Sequence, residues 1–292
     1  VIKSFDYYGR DVCWLEYVAD VGDGFDATYT MAHLLAQDHL EVDGERISRG
    51  KILVMSGDQV YPTPELIEYK NRLQGPCKAA FPWRENDPDR PHLYATPGNH
   101  DWYDGLTNFI KLFCQERAIG NWLTRQKRNY FAIKLLHRCW LWGIDVQLHA
   151  NIDQPQREYF TEIAENEMQD GDHIILCTAE PAWIFHALQR GDDTYQRLQF
   201  FIDKHILLQD PCDHKALDKK LHLMAVLAGD LHHYSCNEVE EERERGEQLI
   251  TAGGGGAFTH PTHILKKQIN TVNGRKADLK KIYSSWAESR WT

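Results

Sequence analysis

Four short segments place carboxylate, amide and imidazole side chains directly after apolar runs. Asp20-Val21-Gly22 follows Cys13–Ala19, and Gly57-Asp58-Gln59-Val60-Tyr61 follows Lys51–Met55. Gly98-Asn99-His100-Asp101 comes just after His92–Ala95, and Gly229-Asp230-Leu231-His232-His233-Tyr234 comes after Leu221–Ala228. Oxygen and imidazole donors delivered from separate loops are what a divalent-metal site requires, and glycines let the backbone approach an ion closely. A metal can polarise a phosphate ester and lower the pKa of a bound water. No serine or cysteine nucleophile is then needed, and no convincing nucleophile–base triad stands out. Any one of these aspartates, taken alone, reads equally as a turn or cap residue. Their joint occurrence at successive strand ends is what carries the metal reading.

Those loops need rigid elements behind them. Short apolar runs at Cys13–Ala19, Lys51–Met55, His92–Ala95, Tyr130–Leu136, Cys139–Ile144, His173–Thr178, Leu221–Ala228 and Gln248–Ala252 are expected to be buried strands. Helical patterns lie at Phe25–Leu40, Pro64–Leu73, Asp104–Arg117, Gln154–Asn166 and Tyr195–Leu208, with Pro64 and Asp104 as start signals. Strands alternating with helices predict a layered α/β protein whose site lies outside the carboxyl ends of the strands. Leu136-His137-Arg138 is the expected turn of a hairpin. Gly75–Pro91, with four prolines, and the charge run Glu238–Glu247 are expected to be irregular. Without internal repeats or a low-complexity linker, residues 1–292 read as a single domain.

Composition narrows the function. The 292 residues are 42% hydrophobic and 26% charged, ordinary for a globular chain. A net charge of -10 opposes general nucleic-acid binding, yet permits phosphate chemistry at a buried metal that supplies its own positive charge. Seven cysteines without a CxxC pair predict neither a disulfide framework nor a four-cysteine zinc site. No run of about eighteen apolar residues predicts a membrane span. A reducing, cytoplasmic setting is expected, with a membrane tether outside this sequence left open. Protein partners and oligomeric state are not readable.

GDxxY at Gly57–Tyr61 followed by GNHD at Gly98–Asp101 resembles the calcineurin-like metallophosphoesterase superfamily, in its purple-acid-phosphatase-like form. Asp20-Val21-Gly22 and Gly229-Asp230-Leu231-His232 complete the order, so the resemblance runs from about Val18 to His263. Gly143-Ile144-Asp145-Val146-Gln147 and the stretch TAGGGGAFTHPTH (Thr251–His263) look like an uncharacterised bacterial and plant branch. The resemblance implies a four-layer α/β/β/α sandwich of two mixed sheets. It also implies a dinuclear centre whose metal-bound hydroxide hydrolyses a phosphate ester, the phosphorylated substrate being the expected partner.

Carried over residue by residue, the resemblance gives one metal Asp20, Asp58, Tyr61 and His232. Other members have a histidine where Gly22 stands, so Tyr61 is the natural replacement, unless it is a core aromatic. The second metal takes the bridging Asp58, Asn99 and Asp230. This chain departs from the pattern there, with Ala179 in place of a histidine and Asp230 in place of the first histidine of GHxH. Glu180 stands beside the gap, and His260 or His263 could also fill it. Two divalent or trivalent ions drawn from Fe, Mn, Mg or Zn are expected, with a transition metal in the first site and Mn²⁺ or Mg²⁺ at the oxygen-rich second. His100 is the implied general acid or charge stabiliser. Asp101 either fixes its tautomer or caps a helix. His233 and Tyr234 are expected to back the ligands or face substrate. Gly253–Gly256 either cradles phosphate or lets the chain press against the metal loops. The reading from a different class is a catalytically weak sensor that binds metal or a phosphorylated ligand through an impaired second site.

Overall fold

A strand buried on both faces must be apolar at every position, and its alternate side chains then serve two different cores. Ile52–Ser56 is buried throughout and divides in this way. Ile52 and Val54 pack with Tyr94, Phe131, Ile133 and Leu141. Leu53 and Met55 face the opposite way, joining Leu93, Leu73, Cys77, Phe109 and Phe113. A third cluster sets Trp140, Trp142, Ile174 and Leu176 against Phe160, Ile163, Trp183 and Phe201. The order from outside to outside is therefore helices, sheet, sheet, helices.

This computed structural model describes residues 4–7, 13–146, 151–189, 193–207, 219–240, 246–271 and 274–290. The first half of the chain contributes strands β1 (Phe5–Asp6), β2 (Leu15–Val18), β3 (His39–Val42), β4 (Glu45–Ser48), β5 (Ile52–Ser56), β6 (His92–Thr96), β7 (Ala118–Ile119) and β8 (Trp122–Thr124). The second contributes β9 (Phe131–Lys134), β10 (Cys139–Gly143), β11 (His173–Cys177), β12 (His222–Ala228), β13 (Tyr234–Val239), β14 (Gln248–Ala252), β15 (Gln268–Asn270) and β16 (Lys276–Tyr283). Helices are α1 (Phe25–Leu35), α2 (Leu66–Glu68), α3 (Gly75–Ala80), α4 (Asn99–Trp102), α5 (Thr107–Phe113), α6 (Gln154–Asn166), α7 (Ala182–Ala187) and α8 (Thr194–Phe201).

One sheet has five strands in the order β2-β5-β6-β8-β7, the other nine in the order β1-β9-β10-β11-β12-β14-β13-β16-β15. Both mix parallel and antiparallel pairs. This is the four-layer sandwich of two mixed sheets that the motifs imply. The β9–β10 hairpin forms with its turn where expected, His137 and Arg138 taking left-handed φ values of 51° and 62°.

Several boundaries differ. The helix after Phe25 ends at Leu35, and His39–Val42 pairs with Glu45–Ser48 instead. Asp43-Gly44, with φ of 53° and 85°, makes that two-residue turn. Pro64–Leu73 resolves into α2 and a π-helical segment, Tyr69–Gln74. Part of the expected irregular stretch is helix α3, because Pro76 sits in its first turn, where no N–H is required. Asp104 does act as a start signal, its Oδ1 accepting from Thr107 N at 2.9 Å, although the helix is shorter than its pattern. Helix α8 passes into a π-helical segment, Ile202–Ile206. Residue 208 of that expected helix, residue 147 of the Gly143 stretch and residues 241–245 of the charge run lie outside the described residues. Glu238 and Val239 belong to β13 rather than to a loop. Cys77, Cys114, Cys139 and Cys177 are free thiols, and Cys212 lies outside the described residues. No helix among the described residues is long and apolar enough to cross a membrane.

Candidate metal centre

The loops that leave the carboxyl ends of β2, β5 and β12 meet at Asp20, and the loop after β6 joins them through Asp58. This residue is fully buried and holds a left-handed φ of 60°, a conformation that needs support from its surroundings. The support is visible: Asp230 N donates to both Asp20 carboxylate oxygens, at 3.1 and 2.9 Å. Tyr61 Oη donates to Asp20 Oδ1 at 3.4 Å and stands 3.2 Å from His232 Nε2. The Asp58 carboxylate also acts on this hydroxyl electrostatically. His232 Nε2 is 3.8 Å from Asp20 Oδ1. The carbonyl of Phe258 lies 2.5 Å from His232 Nδ1. A carbonyl can only accept, so the ring proton sits on Nδ1 and the Nε2 lone pair faces the cluster. That is how a ligating imidazole is oriented.

Asp58 and the GNHD turn make the neighbouring wall. His100 N donates to Asp58 Oδ1 at 2.9 Å. A Cβ at Gly98 would overlap both Asp58 Oδ1 and its backbone nitrogen, so only glycine allows this approach. Asn99 Nδ2 donates to Tyr103 Oη at 3.0 Å, which leaves the amide oxygen as its ligating atom. The loop after β11 packs behind this wall through Ser56 Oγ to Thr178 O, 3.0 Å, and Gly229 N to Ala179 O, 2.9 Å. Ala179 is buried and Glu180 half-buried beside it. Asp230 is half-buried as well.

His100 Nδ1 is held by the Pro62 carbonyl at 2.7 Å, not by Asp101. Asp101 instead caps the turn. Its Oδ2 accepts from Gly98 N at 2.8 Å and Gln59 N at 3.2 Å, and Tyr69 Oη donates to its other oxygen. Of the two readings of Asp101, the cap is the one its contacts describe. His260 stacks on His232 with ring centroids 4.6 Å apart, and its Nδ1 accepts from His232 N at 3.2 Å. It thus backs the first ligand set and does not fill the place left by Ala179. His263 lies elsewhere, its Nδ1 against Ser289 O at 3.0 Å. His233 is turned inward and buried, both ring nitrogens without a hydrogen-bond partner among the described residues. Tyr234 is half-buried in β13 with its ring 5.7 Å from that of Tyr283. Three supports were invisible in the sequence: the Pro62 and Phe258 carbonyls and the Asp230 amide. A glycine run ahead of Phe258 is the only signal that pointed to any of them.

The electrostatics favour a cation. Burial raises the Asp20 carboxyl well above its usual range, and the Asp58 and Asp230 carboxylates add to that. Burial also raises Asp58. His232 is pushed down, chiefly by burial, so its imidazole is kept neutral and ligand-ready. The charged groups that act most on Asp20 and Tyr61 are the neighbouring carboxylates of Asp20, Asp58 and Asp230. Buried carboxylates crowded together call for a proton or a metal. The donors present, carboxylates with a phenol, an amide oxygen and an imidazole, fit a metal. Among the described residues His, Cys, Asp and Glu alone form no metal-holding trio. The convergence depends on Tyr61, a donor outside those four types.

No family model and no curated protein sequence matches this chain. Among solved structures it is similar to a purple acid phosphatase, PPD1, from yellow lupin (Lupinus luteus) seeds, with a TM-score of 0.55 at 11% identity. That likeness covers 94% of this chain and 48% of the phosphatase. It is also similar to PhoD, with a TM-score of 0.45 at 12% identity, over 85% of this chain and 58% of that one. The chain thus spans about half the length of these structures. The likeness to the purple acid phosphatase bears out the calcineurin-like metallophosphoesterase resemblance at the level of the fold.

Proposed function

We propose that this chain hydrolyses a phosphate ester at a dinuclear metal centre. The observation that carries this reading is the convergence of Tyr61, His232 and the Asp230 amide on the buried Asp20 carboxylate, at the carboxyl ends of strands from both sheets. Asp20, Asp58, Tyr61 and His232 would hold one ion, and Asp58, Asn99 and Asp230, with Glu180 alongside, the other. Bound there, the ions supply positive charge to the phosphoryl oxygens and acidify a water. The Phe258 carbonyl keeps the His232 lone pair turned toward the donors, and the Asp230 amide keeps Asp20 in place. His100 moves the proton. With Nδ1–H fixed on the Pro62 carbonyl, Nε2 is the atom left to take up a proton, and the imidazolium so formed would pass it to the departing oxygen.

A second reading, a binding module that senses metal or a phosphorylated ligand, draws on one observation. The buried Ala179 offers nothing to the second ion. One experiment separates the two: metal analysis of the purified protein with turnover of an aryl phosphate under Mn²⁺, Mg²⁺, Fe and Zn²⁺. We expect metal-dependent turnover, and Asp58→Asn should lower metal content and turnover together. Metal and phosphate binding without turnover supports the sensor. A folded Asp58→Asn variant with full metal and full activity overturns the ligand assignment.

A further inference from the structure

An unbroken line of rings crosses the candidate centre. Tyr103 packs on His100 with centroids 4.9 Å apart, His100 on Tyr61 at 4.5 Å, Tyr61 on His232 at 6.1 Å, and His232 on Phe258 at 4.5 Å. Of the inner rings, Tyr61 and His232 are buried, at 8% and 5% exposure, and His100 is half-buried. The two ends are open, Tyr103 at 54% and Phe258 at 63%. Phe258 supports His232 through its backbone carbonyl and Tyr103 meets Asn99 through its hydroxyl, so the face of neither end ring is used to build the centre. Large aromatic rings left in water on both flanks of a polar centre are suited to receiving another ring.

We propose that Tyr103 and Phe258 form a rim that selects phosphate esters whose leaving group carries a flat, uncharged aromatic ring. The inference rests on the esterase reading. His100 is the group placed to protonate the leaving oxygen, so the organic part of the ester emerges beside it, where Tyr103 packs. Phe258 stands on the other flank of the centre, its exposed ring against His232. Charge narrows the class further. The charged groups that act most on Asp20 and Tyr61 are carboxylates, those of Asp20, Asp58 and Asp230. With the metal ions taken up by the scissile phosphate, a leaving group bearing further phosphates would meet those carboxylates. A neutral ring would gain the stacking contact.

The test compares ligands that differ in ring shape and share a primary carbon at phosphorus or oxygen. Benzylphosphonate and cyclohexylmethylphosphonate are titrated into the Mn²⁺-loaded protein by calorimetry. Hydrolysis of benzyl phosphate and cyclohexylmethyl phosphate is measured alongside. We expect the benzyl compound to bind about three- to tenfold more tightly, the range of a favourable aromatic pair, with the same preference in kcat/KM. Tyr103→Leu should bring the ratio toward one relative to Tyr103→Phe, which keeps the ring and equally lacks the hydroxyl bonded to Asn99, and Phe258→Leu should do so at unchanged metal content. Equal binding by the wild-type protein, or a ratio unchanged in either leucine variant, overturns the rim while leaving the esterase reading standing. Loss of metal in Phe258→Leu makes that ring a support of His232 and overturns its selecting role. If neither phosphonate binds and neither ester is cleaved, the esterase reading fails and takes the rim with it.

Discussion

His100 illustrates how a catalytic assignment depends on what holds the side chain. Adjacent in sequence to Asn99 and Asp101, it invites a carboxylate–imidazole pair. Its Nδ1 is instead 2.7 Å from the Pro62 carbonyl, and Asp101 is spent on the Gly98 and Gln59 amides. A neutral carbonyl fixes the tautomer as firmly as a carboxylate does, without adding a negative charge beside the phosphate. His100→Gln should therefore cut turnover by about 10²–10⁴, the range of general acid–base catalysis, while metal content holds. The deficit should shrink for esters with good leaving groups, which depart without a proton. Loss of metal in this variant would make His100 a ligand, and an unchanged rate would leave it structural. Residue types at strand ends, Asp20, Asp58, Asn99, Asp230 and His232, were legible because carboxylate, amide and imidazole groups announce themselves. Pro62, Phe258 and the Asp230 amide were not, because their contribution is a backbone atom that every residue carries.

At the scale of elements, the glycine run after β14 is placed against the metal loops. A Cβ at Gly253 would overlap Asp20 Oδ2 and the Leu231 carbonyl, whereas one at Gly254 meets nothing within 4 Å. The run thus presses against the metal loops at Gly253 and Gly255 and opens to space at Gly254 between them. Gly253→Ala should destabilise the protein by about 1–3 kcal/mol, the cost of overpacking, and displace Asp20 enough to weaken metal retention. Gly254→Ala should leave both within about 0.5 kcal/mol of wild type, as a surface change does. Denaturant unfolding with metal analysis of the two variants decides it; equal effects would mean that the loop yields freely. Strands β5, β6 and β12 could be read because most of their positions are buried and apolar. The β3–β4 hairpin could not, since Ala36 and Leu40 continue the spacing of α1 while only Asp43-Gly44 marks the turn. Strand β16 was hidden as well: Lys276–Tyr283 lies near the edge of its sheet, where one lysine after another remains solvated.

On the scale of the whole molecule, one carboxyl ties the two halves of the sandwich together. Asp145 follows β10 of the nine-stranded sheet and accepts from Trp102 Nε1 at 3.0 Å, a residue of α4, which follows β6 of the five-stranded sheet. Asn129 Nδ2 donates to its other oxygen. Burial outweighs both hydrogen bonds and pushes the Asp145 carboxyl up to about 7, from an ordinary value of 3.8. The folded state therefore binds this proton more tightly than the unfolded chain does. Stability from this group is fully present below about pH 4 and is lost as pH rises through about 7. The loss should be on the order of a few kcal/mol, at about 1.4 kcal/mol for each tenfold change in proton affinity. His205, pushed down to about 4 by burial, acts with the opposite sign, removing stability as pH falls from 6.5 toward 4. Asp145→Asn keeps the shape without the ionisation, and Asn129 can turn its amide to match. Between pH 5 and pH 8 the unfolding free energy of the wild type should decline relative to that of Asp145→Asn, measured by urea denaturation at a series of pH values with chelator present, so that metal binding does not contribute. Parallel curves for the two proteins would show that Asp145 ionises as freely in the folded chain as in the unfolded one, and that the link between the two sheets carries no buried proton.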